Sequence, residues 1–324
     1  MIKGYKKSIT KFKDRIMIER IKVLLTWPTI SLTWPGQNKA IVADAKGFLA
    51  LRTIKILSLS SGIMGFVVVA LGAWTRLADA GLGCPDWPGC YGFATIPISP
   101  EEIDIANAKF PETPYEVAKA IPEVVHRYFA AALGFMITCM ALISMRSKDL
   151  PSDIKNLSIF LLIWVILQGT FGYWTVSLKL WPQVVTTHLM SDFLLLVFYG
   201  CSISKQRSPR KRENWNFSQL QREFFNIALI LVAIQIFLGA WTSTNYASYS
   251  CVDFPLCQGQ VIPESNFKEG FNFLQGIGPN YLGGQLDHES RVAIHITHRF
   301  GAAVVTAFLL FLSYHLFIRK FRIM

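Results

Sequence analysis

The residues of this 324-residue chain best placed to do chemistry are three histidines that stand in or beside long apolar stretches. His126 is followed by Arg127, His298 by Arg299, and His188 lies inside a further apolar stretch. A polar side chain in such a place is costly and usually functional. Two imidazoles near the outer ends of adjacent antiparallel helices suit bis-histidine ligation of a haem iron inside a bundle. The two arginines would then sit at the membrane interface, where a guanidinium can meet a haem propionate. Anchoring of a helix end is the plainer role for any one of these residues, and the repeated His-Arg pair together with His188 favours ligation. His295 precedes His298 by one turn, whereas His288 and His315 fall outside the pattern and are expected to be solvated.

Carboxylates and thiols accompany the histidines. Glu123 precedes His126 by three positions, which puts both on one helix face. Asp192 follows His188 by four, where it could orient that imidazole or pair with another helix. Four of the six cysteines form two identical spacings, Cys84-x5-Cys90 and Cys251-x5-Cys257. An even count, the equal spacing and an oxidising outer compartment favour two short disulfide loops. The rival is a zinc ion held by all four thiolates. Cys139 and Cys201 lie within apolar stretches and read as small apolar fillers.

The elements that must position these residues are membrane helices. The chain is 52% hydrophobic and only 16% charged, which excludes an ordinary soluble domain. Six charge-poor stretches are long enough to cross the bilayer: Ile56 to Thr75, Tyr128 to Met145, Asn156 to Leu178, Leu180 to Ser204, Phe224 to Tyr246 and Arg291 to Ile318. Without barrel-type alternation they must be helical, because lipid leaves backbone groups no other partner. Lys and Arg gather in residues 1–55, in the 146–155 loop, in 205–222 and at the tail, while the longer loop after the first span carries Asp86, Glu101, Glu102, Asp104, Glu112 and Glu116. The positive-inside rule places both termini in the cytoplasm and the cysteine loops outside. The net charge of +11 therefore marks topology and contact with the lipid bilayer; without interleaved aromatics it does not mark nucleic-acid binding.

An internal repeat organises the spans. Gly72-Ala73-Trp74-Thr75 recurs as Gly239-Ala240-Trp241-Thr242, and the offset, 239 − 72 = 167, also takes Cys84, Asp86, Pro88 and Cys90 onto Cys251, Asp253, Pro255 and Cys257. An offset of 298 − 126 = 172 then takes His126-Arg127 onto His298-Arg299 and Glu123 onto His295. Hence one unit alone has a carboxylate beside its histidine, which argues against a carboxylate-bridged di-iron centre. The reading is an all-α integral membrane protein built as a tandem parallel repeat of four-helix bundles. Its parts are a basic lead-in (1–55), a first unit (56–204), a basic linker (205–222) and a second unit (223–324) with two spans. The counterpart of His188 would fall near 188 + 172 = 360, so the second repeat is expected to be incomplete.

In these motifs the chain resembles the haem A synthase family, in its cysteine-containing bacterial branch. The likeness rests on Gly72-x-Trp-Thr-Arg76, the Cys84/Cys90 loop, Glu123-x-x-His126-Arg127, Thr187-His188, the Cys251/Cys257 loop and His298-Arg299, and covers residues 56 to 318. The resemblance implies a multi-pass protein of the bacterial plasma membrane that oxidises a methyl group of haem O to the formyl of haem A. It implies that His126 and His188 hold the substrate haem, that His298 is one ligand of a haem b, that Glu123 serves the chemistry, and that Cys84 and Cys90 do thiol or electron-transfer work. Its partners would be the enzyme that supplies haem O and the assembling terminal oxidase. The family has eight helices in two halves, so this chain would lack the second haem b ligand. A homo-oligomer would have to complete it, or activity in isolation would be low. Two other readings use part of the pattern: a non-enzymatic electron-transfer protein with bound haem, and an outer-face thiol/disulfide oxidoreductase, which usually wants a Cys-x-x-Cys.

Overall fold

The computed structural model describes residues 45–205 and 218–323, and within them every regular element is helical. The basic lead-in up to residue 44 and the linker over 206–217 lie outside the described residues. The chain divides after Phe48, and the unit that begins at Leu49 contains everything analysed below.

In chain order the helices are α1 (Ala45–Leu77), α2 (Pro100–Lys109), α3 (Val117–Arg146), α4 (Ser152–Ser177), α5 (Pro182–Lys205), α6 (Gln219–Thr244), the four-residue α7 (Phe267–Gly270) and α8 (His288–Ile323). Local chemistry sets several ends. Ser99 caps α2 and Glu102 reaches back to it, a reciprocal pair that satisfies two otherwise orphaned backbone donors. Ser218 and Gln221 do the same for α6. Between α4 and α5 the chain reverses through Lys179 and Leu180, both in the left-handed region, and Pro182 opens the next helix.

Five helices are long and apolar enough to cross a membrane among the described residues: α1 from Leu49, α3, α4, α6 and α8 to Ile318. The chain is an all-α, multi-pass membrane protein. The expected span from Leu180 to Ser204 forms the continuous helix α5 but is not among those five. The helices also run further than the apolar stretches. α3 starts at Val117 and not at Tyr128, so Glu123 and His126 lie well inside a helix, and α8 starts at His288, three turns before His298.

α3 and α5 each pack on α4, α5 packs on α6, and α6 packs on α8. α1 closes the first bundle through two glycines: a side chain at Gly65 would stand 3.2 Å from Leu196, and one at Gly62 3.7 Å from Ile203. Ile54, Val68, Leu133, Leu161, Leu195 and Tyr199 fill its centre. Large apolar side chains such as Phe66, Phe135, Leu229 and Phe300 remain exposed on the outer surfaces, as a lipid-facing protein allows.

All the cysteine-bearing connections meet at one end, called the outer end here. Arg76 ties them together: its Nε donates to Ser243 Oγ at 3.1 Å, one terminal nitrogen donates to Tyr246 Oη at 2.8 Å and the other to the Ser243 carbonyl. Tyr246 donates in turn to Asp79 at 2.6 Å. The loop before α8 is fastened to the α4–α5 turn by Trp181, whose Nε1 donates to the Gln275 carbonyl at 2.9 Å. Bonds to a charged donor contribute ~1.5–3 kcal/mol each, so Arg76→Ala is expected to cost about 2 kcal/mol at this partly exposed junction. The measurement is the melting temperature of the detergent-solubilised protein, and an unchanged value would mean that helix packing alone holds the ends together.

Candidate functional site

Each cysteine pair closes a disulfide, Cys84–Cys90 with Cα atoms 4.8 Å apart and Cys251–Cys257 at 4.7 Å. This sets aside the four-thiolate zinc site, and no cluster of three or more metal-binding side chains is found among the described residues. Both disulfides are buried. Cys139 is a free thiol, partly exposed, and the Cys201 side chain lies outside the described residues.

The loops are built alike. Asp86 accepts from the backbone N–H groups of Tyr91 and Gly92, both at 2.6 Å, and Asp253 accepts from those of Gln258 (2.7 Å) and Gly259 (2.9 Å). The Gly259 and Gln258 amides hold the Asp253 carboxyl below the usual carboxylate range. Gly92 and Gly259 both need a positive φ, which glycine adopts without strain. Beneath the first loop Tyr91 packs edge-on against Phe110 and Tyr115, and burial, with Glu116 and Glu123 nearby, pushes its hydroxyl pKa up to about 12.

Arg127 and Arg299 hold these loops. Arg127 donates to the carbonyls of Asp86 at 2.8 Å and of Gly89, and pairs with the Glu123 carboxylate. Arg299 donates to the carbonyls of Asp253 (2.7 Å), Leu256 (2.9 Å) and Cys251 (2.7 Å). Backbone carbonyls of a tight loop converge on one point, and a forked, always-charged donor is the side chain that can satisfy several at once. A propionate would have to displace these bonds.

Glu123 is the link between loop and helix. Its buried carboxylate accepts the backbone N–H of Cys84 at 2.8 Å through Oε2 and the Arg127 guanidinium through Oε1. In the other half His295 takes the corresponding place and accepts from Arg299 Nε at 3.2 Å.

The histidines below differ in their company. His126 lies flat against the α1 backbone, where a side chain at Gly72 would stand 3.1 Å from its Cε1. His188 lies opposite Gly172, 3.9 Å by the same measure. The Nδ1 atoms of both are buried with no side-chain partner among the described residues, and the His126 ring has the Val68 backbone carbonyl of α1 as a neighbour. His126, His188 and Asp192 lie within electrostatic reach of one another. Their helices α3 and α5 both pack antiparallel to α4 and therefore run the same way, so the two imidazoles are not on adjacent antiparallel helices as expected. Asp192 does not orient His188; it takes a hydrogen bond from Gln168, whose amide also donates to the His188 carbonyl at 3.1 Å. His298 faces Gly239 as His126 faces Gly72, with 3.2 Å to its Cε1, but its Nδ1 has Gln235 as a partner at 3.0 Å. His288 is exposed on the first turn of α8. His315 is not simply solvated: it stacks on Phe311 and packs edge-on against Phe224. Sequence reasoning missed Gln168 and Gln235, whose one available signal was an amide alone in an apolar run.

This donor set fits a haem. Two imidazoles within electrostatic reach of one another in a water-poor bundle suit an iron bound on both sides, and the glycine beside each ring lets it seat against the neighbouring helix.

Residues 55–322 match the model of a family described as cytochrome oxidase assembly protein. The chain is 37% identical over 256 residues to the haem A synthase of Shewanella oneidensis, covering 79% of this chain and 77% of that protein. It is 24% identical over 284 residues to the haem A synthase of Wolbachia pipientis wMel (82% and 78% covered), and 24% identical over 238 residues to that of Halalkalibacterium halodurans (71% and 73%).

Glu123→Ala removes the acceptor for two buried donors, a loss of about 3–5 kcal/mol for a buried ion pair. Reduction of Cys84–Cys90 by a water-soluble phosphine is then expected to quicken by about 10-fold or more, since each 1.4 kcal/mol taken off the opening cost is tenfold. Cys251–Cys257 in the same molecule should keep its rate. Mass mapping of the alkylated thiols reads both, and equal rates for the two loops would refute the link.

Proposed function

The chain belongs to the haem A synthase family of cytochrome oxidase assembly proteins, and on that premise we propose that it oxidises a methyl substituent of haem O to the formyl group of haem A. The observation that carries this reading is the convergence of the buried His126 and His188 within electrostatic reach of one another inside apolar spans, beside an Asp192 already engaged with Gln168. An imidazole in an apolar span is costly, and a metal that takes up its lone pair offsets that cost.

His126 and His188 hold the iron of the substrate haem. His298 holds a resident haem b, which when bound supplies one-electron redox chemistry. Glu123 is a positioning group: one turn before His126, it fixes the outer start of α3 to the Cys84 amide, so the state of the first disulfide loop bears on the helix that carries the ligand. Cys84 and Cys90 are the redox pair of that loop only when it opens, since both sulfurs are buried while it is closed. Arg127 and Arg299 keep the two loops seated over the sites and exclude water from the histidines. The buried sulfurs weigh against an outer-face thiol/disulfide oxidoreductase, which needs an attackable sulfur. A purely electron-carrying protein would have no use for one half with Glu123 and another with His295.

We read the halves as copies of one unit related by rotation, with the cysteine loops facing outward. Arg76 meets Ser243 and Asp79 meets Tyr246, pairs separated by 243 − 76 = 167 and 246 − 79 = 167, and residues that touch their own counterparts must lie near the axis that relates them. The product would pass to an assembling terminal oxidase, and the substrate would come from a haem O-forming enzyme.

The test uses cells that make haem O but lack their own haem A synthase. Supplied with this chain they are expected to yield extractable haem A, and with His126→Ala or His188→Ala to accumulate haem O. Normal haem A from both variants would show that the substrate iron is held elsewhere.

A further inference from the structure

We propose that Gln235 is the positioning residue of the second histidine site: its amide fixes the plane of the His298 ring and serves the Nδ1 hydrogen bond that ligation through Nε2 requires. The proposal rests on the reading of His298 as a haem ligand.

Gln235 lies in the apolar middle of α6, where a side-chain amide is costly unless its hydrogen bonds are met. Its Nε2 stands 3.0 Å from His298 Nδ1 and 3.0 Å from the His298 carbonyl, so one amide grips both the ring and the backbone of the same residue. Its Oε1 is buried and has no partner among the described residues. Gly301, one turn beyond His298 on α8, makes room for it, because a side chain there would run into Oε1. Gly239 on α6 leaves the room for the ring itself. The imidazole is thus set between two glycines and an amide.

The first half lacks this arrangement. The position corresponding to Gln235 is 235 − 167 = 68, and Val68 offers no polar side-chain atom. The His126 ring has the backbone carbonyl of Val68 as its neighbour in place of a side-chain amide, and no side chain among the described residues serves its Nδ1. An imidazole that binds iron through Nε2 carries its proton on Nδ1, and that N–H needs an acceptor. A half-turn of the Gln235 amide presents Oε1 to Nδ1–H, giving up the bond to the His298 carbonyl for the one that ligation requires. Such an acceptor fixes ring orientation, raises ligand basicity and tightens metal binding. The half with the amide is built to keep its haem, and the half without it to release one.

The test uses the full chain purified with haem. Haem loss to excess apomyoglobin and the haem reduction midpoint are followed in Gln235→Leu, Gly301→Ala, Gln235→Glu and His298→Ala. Losing an outer-shell partner typically costs 10–100-fold in metal affinity, so the leucine and alanine-301 variants are expected to release haem about 10-fold faster or more, with a raised midpoint. Gln235→Glu is nearly isosteric and a stronger acceptor, and should shift the midpoint the opposite way, below that of the unaltered chain. A merely structural role would not reverse the sign between the two substitutions. Wild-type release from Gln235→Leu, with loss of haem from His298→Ala, would overturn the proposal and leave the ligand reading standing. Haem binding unchanged in His298→Ala would overturn both. If Gln235→Leu does not fold, the Glu variant decides: a midpoint not below that of the unaltered chain refutes the proposal.

Discussion

A polar atom inside a lipid-spanning helix has no water to fall back on, and the outer half of this protein is arranged around that constraint. The loop carbonyls converge on Arg127 and Arg299. The Glu123 carboxylate is closed off by the Cys84 amide and Arg127, and Asp192 by Gln168. The histidines beneath are less fully served: the Nδ1 atoms of His126, His188 and His295 are buried without a side-chain partner among the described residues.

The same constraint explains why two loops of one design sit over sites of different character. Arg127 is paired directly with Glu123, while Arg299 donates to His295 and has the Asp253 carboxylate of its loop within electrostatic reach. The first half therefore carries an ion pair beneath its disulfide, and the second a histidine in the carboxylate's place. One substitution at a corresponding position changes the field above each ligand without altering the loop that covers it.

Much of this was legible in the chain. The spacing of Cys, Trp, Pro and His-Arg identified the family, and each of the six apolar stretches forms a helix. Hydropathy marks only the part of a helix that is apolar, so the outward turns of α3 and α8, which hold Glu123 and His288, were invisible to it. The Ser99-Pro-Glu-Glu102 cap of α2 was readable and passed over in a loop judged by its acidity. Side-chain direction was not legible at all. An arginine beside a histidine at an interface suits a propionate or a ring of carbonyls equally well, and only the three-dimensional convergence of Asp86, Gly89 and Cys84 reveals the carbonyls. Gln168 and Gln235 escaped for the opposite reason: each acts alone, with no recurring spacing to betray it.

The burial of both disulfides carries a consequence for the protein's history. A sulfur sealed under its own loop, with an arginine clasping the carbonyls above it, is out of reach of solutes that exchange thiols at a surface. Whatever oxidation state the cysteines hold when the loop closes is the state they carry until it opens. The loops thus preserve a record of the compartment in which the chain matured, and later swings in the redox poise of the medium are read only by molecules caught in the act of opening.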